Sequence, residues 1–170
     1  MTKIKFTQND FNETALIAQL IKKTEQIDSD YVNSTSDEIF KYQPFFLSVL
    51  LGYHHDVSMG ELEEIMKLYF LVWEYFKWNP NLQKKQVTES NFNQIQKRNI
   101  EMLRYTQDEQ NENDKLKIYS SDIQNLKSKS LLTAIIFRFN ERPILLSMDV
   151  EKKGAIIIGI KSFIECFETI

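Results

Sequence analysis

The run SMGELEEIMKLYFLVWEYF, residues 58–76, decides the fold of this chain. Ser58 and Glu61 stand three apart. That is the spacing of a capping box, in which hydroxyl and carboxylate each accept a backbone N–H of the first helical turn. Leu62, Ile65, Met66, Tyr69, Val72, Trp73 and Phe76 recur at three- and four-residue intervals, so a single helix presents them all on one face. From Leu68 onward the run is apolar nearly all round, the pattern of a helix surrounded by others. Asn79-Pro80-Asn81 closes it, because the residue before a proline is driven toward extended backbone.

Working upstream, residues 44–51 are strongly apolar, with Pro44 suited to a first helical turn and Gly52 a natural stop. Thr35 with Glu38 reads as a second capping box, opening a short helix that carries Ile39 and Phe40 after a polar connection at 28–36. Asp10 reads as the N-cap of a first helix over 11–27, with Ala15, Leu16, Leu20, Thr24 and Ile27 as its inner face. Lys22 and Lys23 sit late in it, where the helix dipole favours cations.

Downstream, residues 88–91 offer caps for a helix with Phe92, Ile95, Asn99, Met102 and Leu103 on one side. Residues 106–114 carry no apolar side chain and read as a solvated helix end or a surface connection. A further helix is expected over 116–139, weakest at Ser120-Ser121 and ended by Pro143. The stretch 144–163 decides between two fold classes. Its Ile-rich halves around Glu151-Lys152-Lys153-Gly154 fit a β-hairpin. Alternatively, Ile156, Ile160, Phe163, Phe167 and Ile170 line one face of a helix for four turns, longer than a strand would run. The helix is the preferred reading, although Gly154 and Gly159 would each cost it roughly 1 kcal/mol relative to alanine. The expectation is therefore an all-α, irregular bundle of about six helices forming one domain over 1–170. The alternative is α+β, with a C-terminal hairpin at about 144–163.

Composition agrees with helices. Of 170 residues, 42% are apolar and 26% charged, with only 4 glycines and 3 prolines, too few for the tight turns of an all-β fold. The formal net charge is −3, and the lysine pairs Lys22-Lys23, Lys84-Lys85 and Lys152-Lys153 are scattered along the chain. Nucleic acid is not an expected partner. The single cysteine, Cys166, excludes an intramolecular disulfide. Residues 1–6 turn polar at Thr7 without an apolar core of a leader, and no run is long enough to span a bilayer. A cytoplasmic protein without membrane attachment is expected.

No phosphate loop, nucleophile elbow, kinase signature or helical zinc motif occurs in the sequence, and no cofactor is expected. Three groups of residues are candidate sites. His54-His55-Asp56 combines imidazole and carboxylate, the usual zinc or iron ligands, although adjacent side chains of an extended loop point apart. Glu74 lies amid aromatics, where a carboxylate needs a cation; Arg138 and Arg142, one helical turn apart, are the expected partners and together would suit an anionic ligand. The plainer account of the same three residues is a structural salt bridge. Tyr75 and Trp78 fall off the main apolar stripe and are candidates for surface recognition. With no catalytic set in the sequence, the expected role is a non-enzymatic interaction or regulatory domain whose partner is another protein or a second copy. The alternative is a small-ligand or metal protein built on the groups just named.

Overall fold

The computed structural model describes residues 4–108 and 111–170, and at 115, 116 and 119 the backbone only. Its elements run α1 (Gln8–Glu25), α2 (Ser29–Tyr42), α3 (Pro44–Gly52), α4 (Met59–Phe76), α5 (Glu89–Asp108), α6 (Glu112–Gln124), α7 (Lys129–Glu141), α8 (Pro143–Leu146) and α9 (Val150–Glu168). Short 3-10 turns lie at Tyr53–His55 and Pro80–Gln83. There is no strand among the described residues. The fold is all-α, with more and shorter helices than the six expected.

The helix α4 begins at the Ser58–Glu61 capping box and is buried from Leu68 through Glu74. It packs against α1 on one side and against α3, α8 and α9 on others. The hairpin expected as an alternative at 144–163 is replaced by α8 and α9. Energetics explain the outcome. Ile156, Ile160, Phe163 and Phe167 are all 2% exposed or less. Each contributes roughly 1.5–3 kcal/mol on burial, and the four together outweigh several-fold the roughly 2 kcal/mol cost of two helical glycines. Phe163 is the hinge of an aromatic core, with ring centroids 4.2 Å from Phe92 and 4.8 Å from Phe46, while Phe167 reaches Phe76 at 5.4 Å. Gly159 serves a close approach. A Cβ at this position would lie 2.8 Å from the Tyr53 hydroxyl, which is itself bonded to that of Tyr69.

Four local expectations are corrected. The N-cap of α1 is Thr7; Asp10 is the reciprocal member of its capping box and pairs with Lys129 at 3.3 Å. The inner face of α1 is Ile17, Leu20, Ile21 and Thr24, leaving Leu16 46% exposed. The helix α2 starts at Asp28, which accepts the Tyr31 N–H, so residues 28–36 are not a connection and Thr35 is a buried mid-helix residue. Its inward stripe escaped notice because it contains polar members satisfied by tertiary contacts: Glu38 accepts the Trp73 indole N–H at 2.9 Å. The break between α6 and α7 falls at residues 125–128 rather than at Ser120-Ser121. There the Glu168 carboxylate accepts the Ser128 N–H at 2.6 Å and stands at the positive end of α7.

Gln43 ties the α2–α3 junction to the segment before α5. Its amide donates to the carbonyls of Leu82 (2.7 Å) and Lys85 (2.8 Å) and accepts from Val87 N–H (2.9 Å).

Candidate functional site

Glu74 is buried on α4 at 2% exposure, but its partners are not the arginines. Lys23 of α1 (3.0 Å), Lys77 (3.1 Å) and the Tyr31 hydroxyl of α2 (3.0 Å) converge on its two oxygens. Burial alone would raise this carboxyl; the lysines and Tyr31 outweigh it and hold the group below its ordinary value. The arrangement joins three helices and leaves no acceptor oxygen of Glu74 without a donor.

Arg138 and Arg142 do come together, on acidic partners of their own. Arg142 contacts Glu25 and lies 3.6 Å from Glu64; Arg138 bonds Glu141 at 2.9 Å. Lys67 adds a third cation, 3.1 Å from Glu64. The gap these side chains enclose is about 10 Å³, room for no more than a water molecule.

His54 and His55 lie in the turn after α3, exposed, with ring centroids 3.7 Å apart. The His54 Nδ1 faces the Leu51 carbonyl at 2.8 Å, and Asp56 follows on the same exposed turn. No group of three or more His, Cys, Asp or Glu side chains among the described residues is placed to hold a metal ion. Cys166 is wholly buried, and burial, with the Glu165 charge second, pushes its thiol up to about 12, the state of an inert small hydrophobe.

Tyr75 is half-buried, and burial pushes its phenol up to about 12, with Glu13 adding to the rise. Trp78 stands out at 79% exposure with the Lys77 ammonium 5.4 Å from its ring centroid.

A larger apolar surface lies elsewhere, between α1 and α7. Phe6, Phe11 and Phe137 are 39%, 63% and 62% exposed and border a groove of about 510 Å³ floored by Ile21 and Ala134. Arg138 and Glu141 mark its polar end. Sequence reading passed over these rings. The signal that would have found them is helical phase: the buried apolar positions of α7 are 131, 132, 135 and 139, which puts Phe137 on the side opposite that apolar stripe.

Comparison with protein-family models, curated proteins and solved structures returned no match. Among the described residues no helix is long and apolar enough to cross a membrane.

Proposed function

We propose that this chain is a protein-interaction domain that pairs transiently with a second copy of itself through the α1/α7 face. The observation that carries the reading is the exposure of Phe6, Phe11 and Phe137 around one concave groove. Clustered exposed apolar surface marks interaction sites, and aromatics with arginine are the residues enriched there. A second copy fits best because one patch holds both protruding rings and the groove to receive them, as a two-fold interface requires. Its polar end carries both a cation, Arg138, and a carboxylate, Glu141, so two copies meeting there bring opposite charges to each other.

A binding role rather than catalysis is supported by how the buried charged groups are used. Glu74, Asp10 and Lys161 each hold helices together through close partners. The strength of pairing follows from the rings. Three per copy at about 1.5 kcal/mol each give a gross gain of roughly 9 kcal/mol. Against a loss of at least about 4 kcal/mol of free motion, at most about 5 kcal/mol remains, which places Kd between about 0.2 and 1 mM. Sedimentation equilibrium across that concentration range should show monomer converting to a species of twice the 20.2 kDa chain mass. A monomer throughout overturns self-pairing.

A further inference from the structure

Between α5, α6, α7 and α9 the chain leaves a partly enclosed cavity of about 260 Å³. Its walls are aliphatic, chiefly Leu103, Ile123, Ile136, Ile157 and Ile158, and these side chains stay half-buried where neighbouring core residues are sealed. On α9 the lining residues Gly154, Ile157, Ile158 and Lys161 are one and two turns apart, so the cavity follows that helix for about 10 Å. Gly154 opens one end: a Cβ there would meet nothing within 4 Å.

The other end is polar and built. Lys161 is 9% exposed. Its ammonium meets Asn99 Oδ1 at 2.7 Å, Asp122 Oδ2 at 3.1 Å and Glu165 Oε1 at 3.1 Å, three acceptors for its three protons. Asn99 in turn donates to Ser162 (3.0 Å) and Glu165 (2.6 Å), and Arg98 closes on Glu165. Two cations thus face two carboxylates. An anionic head entering here would meet Asp122 and Glu165 with no cation left over. A neutral hydroxyl would meet the Asp122 carboxylate as an acceptor and leave the balance intact.

We infer that this cavity binds a small, neutral, aliphatic molecule with one hydroxyl head, its chain along the isoleucines of α9 and its hydroxyl donating to Asp122. Enclosed apolar walls with a few convergent polar groups are the usual makeup of small-molecule sites. The inference goes beyond self-pairing and uses a different face of α7, so either can fail alone.

The test is a titration of the whole protein with 1-octanol, and separately with octanoate, followed by amide chemical shifts. Octanol should give saturable shifts along α9 and α5, and octanoate should bind at least about tenfold more weakly. Gly154→Leu, which fills the open end with a better helix former, should weaken octanol at least about tenfold, while Gly154→Ala should not. Met102→Trp, at the partly exposed rim, gives a second block should Gly154→Leu disturb the fold. Absence of saturable octanol shifts, octanoate binding as tightly as octanol, or full octanol affinity in both blocking variants would overturn the proposal.

Discussion

Glu74→Ala removes one acceptor from three donors at once. Lys23 is 48% exposed at its side chain and returns to water at little cost, as surface pairs do. Lys77, 15% exposed, and the Tyr31 hydroxyl lose an acceptor they cannot easily replace. Hydrogen bonds to a charged partner contribute about 1.5–3 kcal/mol each, so the two together put the loss near 3–5 kcal/mol. Lys77 can turn partly toward Glu38, 3.7 Å away, which places the expected loss at the low end, about 3 kcal/mol. For a chain of this size that lowers Tm by about 6–12 °C. Glu74→Gln keeps shape and an acceptor but not charge and should lose about half as much. The pH dependence has a definite sign. The Glu74 carboxyl is held below its ordinary value of 4.5 in the folded state, so its contribution is full above that value and fades as pH falls through the folded value. Urea denaturation at pH 7 and at about pH 3.5 should therefore show the gap between wild type and Glu74→Gln shrinking on acidification. A loss below about 1 kcal/mol for Glu74→Ala, or a gap independent of pH, would refute the reasoning.

Gln43→Ala should cost about 2–4 kcal/mol, because the buried Leu82 carbonyl, the part-buried Lys85 carbonyl and the Val87 N–H lose their partner. Limited proteolysis should then cut first within residues 80–88. Gly159→Ala should destabilise by about 1–2 kcal/mol, the clash with the Tyr53 hydroxyl exceeding the gain in helix propensity. Tyr53→Phe should relieve it, and strict additivity in the double-mutant cycle would contradict the close-approach account. The Thr7 N–H, foremost, and then the Thr7 hydroxyl and Lys129 hold the Asp10 carboxyl below its ordinary value against burial, so the start of α1 should lose amide-exchange protection as pH falls below about 4.

What could be read from residue order was the apolar periodicity. The α4 helix was legible because Ser58, Glu61 and seven large apolar residues agree with one another. The α9 helix was legible despite its glycines because its stripe outlasts a strand. The α2 helix was hidden, since Thr35 and Glu38 mimic a capping box although both lie mid-helix, Thr35 buried and Glu38 partly exposed. The partners of Glu74 were also hidden: Lys23 and Tyr31 are 51 and 43 residues away, and only packing of α1 and α2 against α4 brings them near. The Phe11 and Phe137 surface emerges only once the buried faces of α1 and α7 are known, because a phenylalanine in a helix reads first as core.

The most direct test of self-pairing compares the dimerisation constant of the wild type with those of Phe137→Ser and Trp78→Ser. Phe137 borders the α1/α7 groove, whereas Trp78, more exposed at 79%, lies elsewhere. A central ring in an interface contributes about 2 kcal/mol or more, so Phe137→Ser should raise Kd at least about thirtyfold while Trp78→Ser leaves it within about twofold. A dimer indifferent to Phe137→Ser, or one lost on Trp78→Ser, would contradict the account.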